Sequence, residues 1–150
     1  MDILQKMGRY CAYQERCVQE VRQKLKKLEC PEAAVEKIVA RLLDEGFVDE
    51  ARYARSFVRG KFGLKGWGKM KIRQALRMKG LDEELIASTL AAEVGVDQYR
   101  ETVRKQALKK AGKDGWPAEW EARQKIKAFL LRKGFEFDVV NEVMAELGEE

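Results

Sequence analysis

One stretch has the spacing of a phosphate-binding loop: Gly63-Leu-Lys-Gly-Trp-Gly68-Lys69 follows Gly-x-x-x-x-Gly-Lys, in which backbone N–H groups cradle phosphates and the lysine reaches the outer ones. The chemistry then fails at the next position. A P-loop needs Ser or Thr there to hold magnesium, and Met70 occupies it. Such a loop also follows a buried strand, whereas Arg52-Tyr-Ala-Arg-Ser-Phe-Val-Arg59 has helical spacing, with Tyr53, Ala54, Phe57 and Val58 on one side. The glycines read instead as a turn between helices that leaves Lys65 and Lys69 free for a phosphate or a carboxylate. The chain has no histidine, the usual general acid–base near neutrality, so the common nucleophile triads are set aside and no catalytic residue is assigned. Asp44, Glu45, Asp49 and Glu50 crowd the corner at Gly46, but they straddle the end of one helix and the start of the next. Capping explains them without a metal. Cys11, Cys17 and Cys30 form no Cys-x-x-Cys pair, and read as free thiols in packing or turn roles. Neither a metal nor a cofactor is expected.

The remaining chemistry is charge. The net charge of +5 is modest, yet residues 51–81 carry ten basic residues and no acidic one. They are Arg52, Arg55, Arg59, Lys61, Lys65, Lys69, Lys71, Arg73, Arg77 and Lys79. A face built only for solubility intersperses both signs, so a one-sign field over this length is the footprint of a polyanion site, for nucleic acid or an acidic protein groove. Arg73 and Arg77 stand one helical turn apart, as do Arg55 and Arg59. A second, weaker basic stretch runs from Arg100 to Lys133, and the last fifteen residues turn acidic.

The elements that position these charges come from an internal repeat. Val21-Arg-Gln-Lys-Leu25, Ile72-Arg-Gln-Ala-Leu76 and Ile126-Lys-Ala-Phe-Leu130 align, each with a break four residues later at Glu29, Gly80 or Gly134. Beyond each break a second apolar pair recurs at helical spacing: Val35 and Val39, Ile86 and Leu90, Val140 and Met144. Glycine suits such a break because the residue after a helix often takes the left-handed conformation. A further helix precedes each pair, at 3–13, 50–62 and 98–111. Two of these follow similar corners, Gly46-Phe-Val-Asp49 and Gly95-Val-Asp97, with the aspartate as expected N-cap and the apolar residue as a staple. The reading is an all-α fold, an elongated, curved tandem array of three three-helix repeats at 2–45, 47–94 and 96–148. Each module is too small to bury much core alone and must stack on its neighbour. Trp67 and Trp116, in the two glycine-bearing linkers, read as packing anchors. No run of eighteen apolar residues exists, and Met1-Asp-Ile-Leu-Gln-Lys6 lacks a signal-peptide layout, so a cytoplasmic protein with no membrane partner is expected.

Residues Leu42-Leu-Asp-Glu-Gly-Phe-Val-Asp-Glu-Ala-Arg-Tyr-Ala-Arg-Ser-Phe-Val-Arg59 resemble the RecX signature, a Gly-aromatic-aliphatic-Asp-acid corner leading into an Arg-aromatic-Ala helix. The similarity continues through Lys65-Gly66, Ile72, Leu76 and Lys79-Gly80-Leu81, and Tyr13 to Leu25 resembles the family's opening repeat. Two departures stand out: Cys17 where Ser or Thr usually caps, and Glu29 in place of the first turn glycine. The resemblance implies a non-enzymatic negative modulator of a RecA-type recombinase in DNA repair, homologous recombination and the SOS response. Such a protein binds the groove of the recombinase–DNA filament and suppresses ATPase, strand exchange and coprotease activities. It also implies weak, sequence-independent affinity for single- or double-stranded DNA, and a monomer is expected. The expected filament and DNA contacts are Arg52, Arg55, Arg59, Lys61, Lys65, Lys69, Lys71, Arg73 and Arg77. Two alternatives stay open: a sequence-independent DNA-binding helical-repeat protein needing no recombinase, and a scaffold for an acidic protein.

Overall fold

The computed structural model describes residues 2–149, and over them the chain is helical, with no strand. Nine α-helices follow in order: α1 (Ile3–Tyr13), α2 (Val18–Lys27), α3 (Glu32–Asp44), α4 (Glu50–Val58), α5 (Lys69–Met78), α6 (Glu83–Glu93), α7 (Val96–Ala111), α8 (Trp120–Arg132) and α9 (Phe137–Glu149). None of the described helices is long and apolar enough to cross a membrane.

Helix starts are fixed by local polar chemistry. The Asp2 carboxylate accepts the Gln5 N–H at 2.8 Å while the Gln5 side chain accepts the Asp2 N–H at 3.2 Å, a reciprocal cap that satisfies two orphan donors of α1. At α2 the unusual cap residue Cys17 keeps one half of that device: its N–H donates to Glu20 Oε1 at 3.1 Å. Asp49 accepts the Arg52 N–H at 3.0 Å, as the corner motif predicts. The second corner behaves differently. Helix α7 begins at Val96 with Gly95 as its cap, so Asp97 lies inside the first turn, and Val96 is 72% exposed and staples nothing. Asp97 loses little by this, since an acid in the first turn still meets the positive end of the helix dipole.

Helix ends follow the repeat. Gly80 and Gly134 take left-handed φ values of 80° and 98°, and Glu29, the odd residue of the three, does the same at 57°. The chain therefore keeps the turn where the sequence lacks its glycine. Helix α4 does not stop at residue 62 as its spacing predicts. It passes into a π-helical segment, Arg59–Leu64, so Gly63 and Leu64, read as linker, are helical, and Lys65 N–H still reaches back five residues to the Gly60 carbonyl at 3.2 Å.

Two compact units form. One runs to Phe57 and includes Ala75–Thr89; the other comprises Val58–Gln74 and everything from Leu90 onward. The first is built around Met7, Cys11, Val21, Leu25, Val39, Leu42 and Val48, with Ile3, Tyr10, Val35 and Ile38 packed at its edge. The second contains the buried side chains Phe62, Ile72, Tyr99, Val103, Ile126, Leu130, Phe135, Val140 and Val143. There Phe62 and Phe135 lie against Tyr99, with ring centroids 5.9 and 5.4 Å away. The six residues that defined the repeat, Val21, Leu25, Ile72, Leu76, Ile126 and Leu130, are all buried.

Candidate functional site

Three of the nine expected polyanion contacts are claimed by carboxylates. Arg52 holds Glu15 at 2.7 Å and donates from Nη2 to the Gly46 carbonyl at 3.1 Å, so this half-buried side chain ties the Gly46 corner to the segment after α1. Arg59 pairs with Glu93 through two bonds of 2.9 and 3.0 Å. Arg77 pairs with Glu83 across the turn between α5 and α6. Lys79, the tenth base of the stretch, meets Glu20 at 3.3 Å.

Three lysines rest on aromatic rings. Lys61 and Lys71 place their ammonium groups 4.7 and 4.2 Å from the Trp67 ring centre, and Lys69 sits 4.7 Å from that of Tyr99. Ring faces attract cations without cancelling their charge, so these lysines are oriented yet still cationic. Trp67 thus anchors charges as well as packing. Arg55, Lys65 and Arg73 have no carboxylate partner among the described residues; Arg55 and Lys65 are exposed and Arg73 is half-buried.

The would-be phosphate loop turns out to be a packing device. Gly68 lies against the turn between α8 and α9, donating its N–H to the Lys133 carbonyl at 2.7 Å, while Met70 N–H donates to Gly134 O at 3.0 Å. A Cβ on Gly68 would stand closer than 3.0 Å to backbone atoms of Gly134 and Phe135. Its glycine is thus required for close backbone approach, and its N–H is not offered to a ligand. The start of α5 is held further by Tyr99, which is 3% exposed. Its hydroxyl accepts the Lys69 N–H at 3.0 Å and donates to Glu136. Burial, then the Glu136 bond, raises its pKa far above the ordinary tyrosine value.

The carboxylates of the Gly46 corner have structural partners: Glu45 pairs with Arg41 at 3.0 Å, and Glu50 accepts the Val18 N–H at 3.1 Å. No group of three metal-ligating side chains gathers among the described residues. Cys11 and Cys17 are buried and Cys30 half-buried, all as free thiols; burial raises the pKa of Cys11 and Cys17.

A cleft that the sequence did not single out lies in the second unit, with a volume of about 600 Å³. The π-helical segment forms one wall through Phe62 and Leu64, followed by Lys65, and α7 and α8 form the others. Five lysines line it, Lys65, Lys105, Lys109, Lys110 and Lys133, and no carboxylate does among the described residues. On α7 the lining positions Thr102, Lys105, Gln106, Lys109 and Lys110 recur at three- and four-residue steps, the spacing of one helix face. That periodicity was the available signal within the weaker basic stretch. Gln106 donates to the Gly66 carbonyl at 2.8 Å, and Lys133 donates to the Lys65 carbonyl at 2.9 Å, bracing the cleft. Burial, and then the ammonium groups of Lys71 and Lys65, lower the pKa of Lys133.

Comparison with known proteins agrees across the chain. Residues 4–42 match the RecX first three-helix domain, 49–90 the second and 97–144 the third. A regulatory protein RecX of Bacillus velezensis is 30% identical over 137 residues, 91% of this chain and 52% of the relative. One from Serratia proteamaculans is 34% identical over 103 residues, 69% of this chain and 59% of the relative. The chain thus spans about half the length of the curated relatives it matches. Among solved structures, RecX from Lactobacillus salivarius superposes with a TM-score of 0.86 at 27% identity, covering 98% of this chain and 95% of that one. A second, a crystal structure of regulatory protein RecX, gives 0.82 at 31% identity, covering 93% and 68%.

Proposed function

Because the chain belongs to the RecX family of regulatory proteins, we propose that it binds the filament of a RecA-type recombinase on DNA and damps its ATPase, strand exchange and coprotease activities. The observation that carries this reading is the acid-free stretch 51–81, in which Arg55, Lys65 and Arg73 have no carboxylate partner among the described residues and Lys69 and Lys71 are held, still cationic, on aromatic rings. Arg52, Arg59 and Arg77 share their charge with carboxylates, so they contribute less and serve the fold first.

On this reading the modules 2–45, 47–94 and 96–148 are three binding steps along a repeating partner. Cations met at several points add as avidity, while each contact stays weak. Direct affinity for bare single- or double-stranded DNA is low on this reading, because each module alone neutralises only a few phosphates and such contacts weaken steeply with salt. The protein acts by occupancy and carries out no bond-making step, as a cytoplasmic monomer in recombinational DNA repair and the SOS response.

The test is the DNA-dependent ATPase rate of the cognate recombinase as the chain is titrated in, with binding to bare single-stranded DNA followed in parallel. Inhibition well below the concentration that coats the DNA is expected. Inhibition only at saturation of the DNA overturns the reading in favour of a DNA-binding protein acting without a recombinase, and no inhibition leaves a scaffold for an acidic protein.

A further inference from the structure

The cleft of the second unit gathers five lysines with no lining carboxylate among the described residues. We propose that it is a binding site for a nucleoside polyphosphate, with the phosphate chain on Lys65, Lys105, Lys109 and Lys133 and the base against Phe129 and Leu64.

Three observations converge on that ligand class. Its volume, about 600 Å³, falls within the range of about 300–1,000 Å³ typical of small-molecule pockets. Its charge is concentrated: five ammonium groups and no lining carboxylate among the described residues. A single nucleic-acid strand offers one negative charge per nucleotide, about 3.4 Å apart when stacked, so a cleft this size would meet about two or three. A nucleoside triphosphate offers about four on adjacent phosphorus atoms near neutral pH, since terminal phosphate ionises with a pKa near 6. Lysine suits such a chain because its ammonium is a compact charge with three donors, free to follow oxygens in several directions.

The apolar wall supplies the other half of the ligand. Leu64 is 88% exposed at the end of the π-helical segment, a large apolar side chain with little protein cover. Phe129 is half-buried on α8 with the Lys110 ammonium 5.0 Å from its ring centre, which leaves part of the ring to the cleft. Aromatic and aliphatic surface beside a cationic cluster accepts a planar base without reading its edges, so the site selects for phosphate number more than for base identity. Of the four lysines only Lys65 belongs to the acid-free stretch on which the recombinase reading stands; Lys105, Lys109 and Lys133 lie outside it, so the test pair Lys105 and Lys109 separates this site from that reading.

Isothermal titration of the full chain at about 0.15 M salt with magnesium-free ATP, ADP, AMP and adenosine tests the proposal, with a thymidine oligonucleotide in parallel. Affinity is expected to fall stepwise from ATP to AMP, with adenosine silent. The exposed pair Lys105→Gln with Lys109→Gln should weaken ATP at least tenfold, while Lys37→Gln on α3 leaves it unchanged. Phe129→Leu should weaken ATP severalfold and leave inorganic tripolyphosphate unaffected. ATP binding that ignores the Lys105/Lys109 pair overturns the site. AMP binding as tightly as ATP, with the oligonucleotide losing affinity in the same variant, overturns the polyphosphate in favour of a strand. Equal binding of ATP and tripolyphosphate, both indifferent to Phe129→Leu, overturns the nucleoside.

Discussion

Replacing Gly68 by alanine separates the two roles that the Gly-x-x-x-x-Gly-Lys spacing allows. The added Cβ would lie closer than 3.0 Å to the backbone of Gly134 and Phe135, and none of those atoms can swing aside as a side-chain end could. Restoring an ordinary contact of about 3.5 Å requires the two backbones to part by about 1 Å. The bonds they share, now 2.7 and 3.0 Å, would then exceed hydrogen-bonding distance. Each lost bond costs about 0.5–1.5 kcal/mol net, rising to about 1–3 kcal/mol where the abandoned group stays buried. Against this, alanine restricts the unfolded chain and returns about 0.4–1 kcal/mol. A net loss of about 2–4 kcal/mol results, read as a lowered urea midpoint in circular dichroism at 222 nm. Gly60→Ala is the control, since its Cβ would meet nothing within 4 Å and its backbone lies in helix. That variant should be neutral or stabilised by up to about 1 kcal/mol. Gly68→Ala within about 0.5 kcal/mol of the parent would refute the close approach of the two turns. If stability fell as expected but ATP binding at the lysine cleft were unchanged in the folded fraction, Gly68 would be confirmed as a packing glycine.

Reversing Arg73 and Arg77 together to glutamate should weaken binding to the recombinase filament at least tenfold with helicity unchanged; the Arg77–Glu83 pair is solvent-exposed and screened, so the fold does not depend on it and equal filament affinity would move the contact surface elsewhere. Glu29→Gly should stabilise the chain by about 0.5–1 kcal/mol, because a left-handed non-glycine residue costs about 1–2 kcal/mol and glycine's extra unfolded freedom offsets part of the relief; a lower thermal midpoint would show that the Glu29 side chain contributes something its exposed position conceals. Tyr99→Phe should cost about 1–3 kcal/mol at neutral pH through the Glu136 and Lys69 bonds. The raised Tyr99 pKa also means that, above the ordinary value of about 10, the unfolded chain loses this proton while the folded one keeps it, so stability falls as pH rises there. Denaturation midpoints measured from pH 8 to 11 should decline less steeply in Tyr99→Phe, and identical slopes would count against the buried neutral phenol.

The helices were legible because burial imposes a period on apolar residues. Ile72 and Leu76 read as core from spacing alone, and both are fully buried. The turn at Glu29 was legible only by analogy with Gly80 and Gly134, since nothing in Leu28-Glu29-Cys30 itself asks for a left-handed residue. The π-helical segment was not legible: apolar spacing around Val58 and Phe62 fits an α-helical turn equally well, and Phe62 is buried in either case by its type. The start of α7 was misplaced by two residues because Asp97 is a good cap by type, whereas extended Gly95 takes that position and leaves Asp97 a favourable place in the first turn. Charge was read least well. Ten bases with no acid between them look free in one dimension, yet Glu15, Glu20 and Glu93, separated from their partners by 37, 59 and 34 residues, claim three of them. Lys105, Lys109 and Lys133 gained significance only when folding set them around one cleft.

The lysine pair on Trp67 also gives the molecule an optical readout. Indole emission shifts with the electric field across the ring, and here two ammonium groups, at 4.7 and 4.2 Å, contribute to that field. A polyanion that draws Lys61 or Lys71 away changes the colour of Trp67 without any attached dye. With Trp116 and Trp120 replaced by phenylalanine, one tryptophan remains, and it stands in the middle of the acid-free stretch.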